Sequence, residues 1–125
     1  MKIKKSFTLL EMLVVIGIIA VLVSVGISSY STVQKKARDA KRKSDLKTIQ
    51  SAMEQYYSIC GYEYPASLGT NIYCASPTIG IMPVVPNDPK TITPYPCSPC
   101  STAAYTVCTT LESETPSNYC ISNQQ

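Results

Sequence analysis

Two groups of side chains in this 125-residue chain could do chemistry. The first is a set of six cysteines, with no histidine and no tryptophan beside them. Cys97-Ser98-Pro99-Cys100 has the spacing of a dithiol redox motif, while Cys60, Cys74, Cys108 and Cys120 are spread on either side of it. The second is Glu11, a lone carboxylate in an apolar run from Phe7 to Ile27. In mid-membrane an acidic side chain costs roughly 2.5–3.5 kcal/mol, and near the end of a span it costs less but still wants a partner.

The cysteines read best as staples. A reactive C-x-x-C sits at a helix N-terminus, where the helix dipole lowers the thiol pKa. Here Pro94, Pro96 and Pro99 surround the motif and no amphipathic helix follows. Without histidine there is no Ser/His or Cys/His arrangement, and metal sites shrink to thiolate-only sets. No glycine-rich phosphate cradle occurs. The expectation is a protein that is not an enzyme, with no cofactor and no metal, whose cysteines form a disulfide framework of an exported module. Local spacing favours Cys108 with Cys120 and Cys60 with Cys74, leaving Cys97 with Cys100. A bridge that closes a loop of roughly 10–20 residues is worth ~2–4 kcal/mol. The competing class is a membrane-anchored thiol oxidoreductase working through Cys97 and Cys100.

The elements that must carry these groups follow from charge and apolar patterning. Lys2, Lys4 and Lys5 precede the apolar run, which is long enough as a helix to cross a ~30 Å hydrocarbon core. The three lysines predict a cytoplasmic N-terminus. A basic cluster follows from Lys35 to Lys47, set against Asp39 and Asp45. It pulls the orientation the other way, less directly. A cleaved signal peptide would have a shorter apolar core, although small residues do occur at Ser24, Gly26, Ser28 and Ser29. A plain membrane anchor would leave Glu11 without a role.

No proline lies between Phe7 and Ile59, so one helix is expected to about Ser58, ~78 Å long, with a weak point at Gly17, Ser24 and Gly26. Val33, Ala37, Ala40 and Ser44 make a small-residue stripe at helical spacing, continued by Leu46, Ile49, Met53 and Tyr56, with Ala52 and Tyr57 widening it. Lys36, Lys43, Lys47, Gln50 and Glu54 fall on the opposite faces, as on an amphipathic helix. The residues after it are too few to cover such a helix, so its first half must be buried by lipid or by other copies. The basic cluster is expected to meet lipid phosphates, solvent or acidic neighbours rather than nucleic acid, since no aromatic residues are interleaved with it.

Composition changes at Cys60-Gly61. Eight of the nine prolines lie between Pro65 and Pro99, which argues against helix there. Strands are expected loosely over 79–85, then over 104–111 and 119–122, the last two joined as an antiparallel hairpin by the polar stretch 112–118. The expected fold class is α+β: a long N-terminal helix packed on a small antiparallel sheet in a disulfide-stapled head. The expected divisions are 1–6, 7–30, 31–59 and 60–125.

Ser6-Phe7-Thr8-Leu9-Leu10-Glu11-Met12-Leu13-Val14-Val15-Ile16 resembles the N-terminal methylation motif of type IV pilins and type II secretion pseudopilins. The resemblance implies that 1–6 is a leader, that a prepilin peptidase cuts between Ser6 and Phe7, and that Phe7 is then N-methylated. Ser6 stands where that family usually has glycine. Glu11 becomes the fifth residue of the mature chain, the family's assembly carboxylate. We expect it to pair with the new amine at Phe7 of a neighbour, each charge offsetting the other's desolvation. The implied partners are further copies in a homo-oligomeric filament, the prepilin peptidase, an assembly ATPase and platform protein, and the cytoplasmic membrane; nucleic acid enters only for a DNA-uptake pilin. The implied location is the cytoplasmic membrane for the precursor and a surface filament after assembly, serving adhesion, motility or DNA uptake; the alternative is a pseudopilin of a type II secretion system. More loosely, the head region also resembles that of short pseudopilins and small pilins. Pseudopilins often bind calcium in their C-terminal loops, but Glu112, Glu114 and Asn118 make only a weak oxygen site and are expected to be turn residues.

Overall fold

The computed structural model describes residues 7–125. The expected leader, with Ser6, lies outside the described residues. The chain forms one long helix, α1 (Leu9–Ile59), followed by five short strands: β1 (Ile72–Cys74), β2 (Ile79–Met82), β3 (Cys97–Cys100), β4 (Tyr105–Thr110) and β5 (Asn118–Ser122). It divides into two compact units, one ending at Gln34 and the other covering Lys35–Gln125.

The first unit is the N-terminal part of α1. Its leucines, isoleucines and valines are exposed, from Leu9 at 83% to Val15 at 49%. A solvated protein surface does not expose so large an apolar area without something to cover it. The segment is long and apolar enough to cross a membrane. α1 runs unbroken through Gly17 and Gly26, the expected weak point. The Ser24 hydroxyl bonds back to the Val21 carbonyl at 2.7 Å, so its polar atoms are satisfied within the helix.

The second unit has a true core. Leu46, Ile49, Ala52 and Met53 present one face of α1, and Tyr64, Ile72, Met82, Val85, Tyr95, Tyr105, Val107 and Ile121 close over it. Leu46, Ile49, Met53, Tyr105 and Val107 are fully buried. Each large aliphatic among them contributes roughly 1.5–3 kcal/mol of transfer free energy. Strands β3, β4 and β5 form an antiparallel sheet in that order, and β1 and β2 form a separate antiparallel pair. On β4 the side chains of Tyr105, Val107 and Thr109 point inward while Thr106, Cys108 and Thr110 are more open, the period-two alternation of a half-buried strand.

Gly61 ends α1 with a φ of +90°. The Tyr62 N–H bonds to the Tyr57 carbonyl at 3.0 Å, the six-to-one bond of a Schellman cap with glycine in the left-handed position. Two strands were not expected. β1 is only three residues long. β3 contains Pro99, and a proline that cannot donate to the ladder is tolerated because β3 is an edge strand.

One expectation about α1 needs correction. Ala37, Ala40 and Ser44 do not line the buried face; they are exposed, whereas Asp39, Arg42 and Asp45 are buried. Gln50, expected outside, is also buried, and its amide donates to the Ser122 carbonyl at 2.9 Å. Glu54, also expected outside, is half-buried. The charged residues won the inner face because the head supplies their counter-ions.

Candidate assembly site and the ion network of the head

Thr8 and Glu11 build the N-terminus of α1. The Glu11 carboxylate accepts the Thr8 backbone N–H at 2.9 Å and the Thr8 hydroxyl at 2.9 Å, while the Glu11 N–H donates to the Thr8 hydroxyl oxygen at 3.2 Å. That is a capping box, in which a threonine at the N-cap and a glutamate three residues on satisfy each other's backbone donors. Its sequence signal is Thr8-Leu9-Leu10-Glu11, a threonine three residues before a glutamate ahead of an apolar run. Glu11 therefore has a partner within its own chain. Phe7 is 76% exposed, and among the described residues no hydrogen bond joins it to Glu11. A carboxylate and an exposed Phe7 thus sit within one turn at the tip of an uncovered apolar helix. An amine on Phe7 of a second chain would find Glu11 accessible.

The six cysteines are joined as Cys60–Cys74, Cys97–Cys100 and Cys108–Cys120. The first ties the end of α1 to β1. The last joins directly opposed residues of β4 and β5. The second lies within β3, where Cys97 is opposite Val107 and Cys100 opposite Tyr105. No helix starts beside it among the described residues, so the dipole that activates a redox dithiol is not supplied there.

Within the basic cluster Arg38, Arg42 and Lys43 engage the head, whereas Lys35 and Lys36 stay exposed. Arg42, 3% exposed, is the hub. Its Nε donates to Asp88 at 2.6 Å and its Nη1 to Asp39 and Glu112 at 2.9 Å each. Arg38 forks onto both Glu112 oxygens at 2.9 and 2.8 Å, and Lys90 reaches the same carboxylate at 3.2 Å. Asp39 in turn accepts the backbone N–H groups of Glu112 and Ser113 and the Ser113 hydroxyl. Lys41 pairs with Asp45, and Lys43 with Glu114. The two glutamates weighed as a cation site are therefore committed to Arg38, Arg42, Lys90 and Lys43, and no cluster able to hold a metal occurs among the described residues.

The network fixes two loops. Asp88 is also the hinge of a tight turn: its Oδ1 accepts the N–H groups of Lys90 and Thr91, and its backbone bonds to Ile92 and Thr93. The Arg42 hydrogen bond holds the Asp88 carboxyl down at about 2, against a desolvation that would raise it. Arg38 first, with Lys90 and Arg42, holds Glu112 well below the ordinary carboxylate range. Burial alone would raise Asp39, but the donors from Ser113, Glu112 and Arg42 outweigh it and keep it low.

A second cluster centres on Glu54. It accepts the hydroxyls of Tyr64 and Tyr105 and the Gln124 N–H. Desolvation, then the hydrogen bond to Glu54 and its negative charge, push Tyr64 up to about 12 and Tyr105 higher still. Tyr95 is raised likewise, by burial and then by its bond to Asp45.

Residues 1–27 match the family model of the prokaryotic N-terminal methylation motif. No curated protein and no solved structure matches the chain. The chain therefore carries the signature shared by type IV pilins and pseudopilins, on an α+β fold with a long apolar N-terminal helix and small antiparallel sheets. The motif implies processing by a prepilin peptidase.

Proposed function

We propose that this chain is a non-enzymatic structural subunit of a type IV pilus. The precursor sits in the cytoplasmic membrane. A prepilin peptidase removes 1–6 after Ser6, Phe7 is N-methylated, and the mature chain is drawn into a surface filament through α1. An assembly ATPase and a platform protein supply the force. The observation that carries this reading is the methylation motif over 1–27 on a helix whose apolar side chains are uncovered. Lipid covers that surface before assembly and neighbouring copies cover it after. Glu11 would then exchange its intrachain Thr8 donors for the Phe7 amine of a neighbour, a pairing that only one axial register satisfies.

The head favours a pilus subunit over a calcium-binding pseudopilin, because Glu112 and Glu114 are spent on internal cations. It also favours structure over redox catalysis, because the C-x-x-C lies in an edge strand as one of three bridges. The test is Glu11→Gln. The variant should accumulate in the membrane and yield few or no surface filaments. Wild-type filament levels would sink the proposed role of Glu11. Filaments recovered by shearing at native expression would separate pilus subunit from pseudopilin.

A further inference from the structure

The unit Lys35–Gln125 consumes nearly all of its own charge. Arg38, Arg42 and Lys90 meet Glu112, Arg42 also meets Asp39 and Asp88, Lys41 meets Asp45, and Lys43 meets Glu114. Glu54 is taken by tyrosine hydroxyls, and Lys47 reaches Gln50. Among the described residues Lys35, Lys36 and Glu63 are exposed and have neither an ion pair nor a side-chain hydrogen bond. The two cations lie at the start of this unit's helical segment and the anion just past its end. The helix from Lys36 to Ile59 is about 35 Å long, so these charges do not meet within one chain.

Glu63 is also held in place. The Schellman cap at Gly61 sets the turn before it, and the buried Tyr64 after it bonds through its N–H to the Thr102 carbonyl at 2.9 Å. Between them Tyr62 has a φ of 62° and is 72% exposed. A non-glycine residue in that conformation is uncommon and marks a turn its surroundings over-determine. The side of α1 between the two ends is of low relief. Ala37, Ala40, Ser44, Thr48 and Ser51 are exposed, and the hydroxyls of Thr48 and Ser51 fold back onto helix carbonyls. Such a face lets another chain approach closely.

We propose that the turn bearing Glu63 on one copy docks against Lys35 and Lys36 of a second copy, along that small-residue face. The contact is head-to-tail, so it passes from copy to copy instead of pairing two off, and it builds a filament when its rotation does not close a ring. It rests on the filament reading and adds to it a specific contact between heads, separate from the Phe7–Glu11 pairing. Because the charges are exposed, the contact weakens with salt.

The test is zero-length carbodiimide cross-linking of sheared wild-type filaments, beside the same full chain as a detergent-solubilised monomer. Peptides joining Lys35 or Lys36 to Glu63 are expected from filaments and not from monomer. Glu63→Lys should lower filament yield, by about two- to fivefold per contact for an exposed ion pair. Combining it with Lys35→Glu and Lys36→Glu should restore the yield. Filaments with methylated Phe7 that give no such peptide, or whose yield ignores both charge changes, overturn the contact and leave the filament reading intact. Wild-type chains that stay monomeric in the membrane overturn both.

Discussion

Arg42 and Asp88 are 46 residues apart in sequence, yet Nε and Oδ2 lie 2.6 Å apart. That bond and a second from Nη2 to Oδ1 at 3.2 Å clamp the turn at 88–93 to α1, and the same guanidinium clamps the 112–114 turn through Glu112. Removing Arg42 would take the cation from Asp39 and Asp88, which the fold has partly desolvated, and leave Glu112 to Arg38 and Lys90. Arg42→Ala should destabilise the head by roughly 3–5 kcal/mol, the usual cost of breaking a buried ion network from one side. Arg42→Lys should recover little, because an ammonium does not reproduce the planar fork. Thermal or denaturant unfolding of the full chain in detergent measures both.

The same network sets the acid limit. Asp88, Glu112 and Asp39 have folded pKa values depressed below their unfolded values of about 4. Their stabilisation is therefore complete above the unfolded values and is lost as pH falls through the folded ones. The melting temperature should be flat from about pH 7 to 5 and drop steadily from there toward pH 2, the value at which Asp88 is held. High salt should soften the exposed Lys90–Glu112 contribution more than the buried Arg42 pairs.

The alkaline limit comes from Glu54. The raised tyrosines contribute stability that is present below their unfolded pKa of about 10 and is lost as pH rises through the folded values. Glu54→Gln removes the negative charge that opposes tyrosinate and should lower the Tyr64 and Tyr105 titrations toward 10. Glu54→Ala should also leave their hydroxyls short of an acceptor and cost about 1–3 kcal/mol. Ultraviolet titration of tyrosinate reads the first effect and denaturant unfolding the second.

The three bridges should differ in weight. Cys108–Cys120 closes 12 residues and Cys60–Cys74 closes 14, against three for Cys97–Cys100. Loop-closure entropy gives about 3 kcal/mol for the first two and about 1.6 for the last. Paired Cys→Ser variants followed by denaturant unfolding should reproduce that order. Alkylation followed by intact mass should find no reactive thiol in the native chain. A Cys97/Cys100 pair that cycles with turnover of a thiol substrate would favour the oxidoreductase.

The sequence was most legible where a local pattern fixes the structure. The motif around Phe7 and Glu11, the stop at Gly61, the β4–β5 hairpin and the Leu46/Ile49/Met53 face all follow from neighbours a few residues apart. Legibility failed where distant residues decide. Helical periodicity put Ala37, Ala40 and Ser44 on the inner face, because it treats charge as a mark of solvent; Asp39 and Arg42 are buried on account of Asp88, Glu112 and Ser113. β3 escaped because Pro99 reads as a strand breaker unless its edge position is known. The Thr8–Glu11 box is legible from spacing alone, whereas a partner for Glu11 in another chain is not.

The most direct test of the central claim is the mass of the N-terminal peptide from sheared surface filaments. The expected chain begins at Phe7 and carries one added methyl on its amine. A chain that still begins at Met1, or that begins after Gly26, would contradict it.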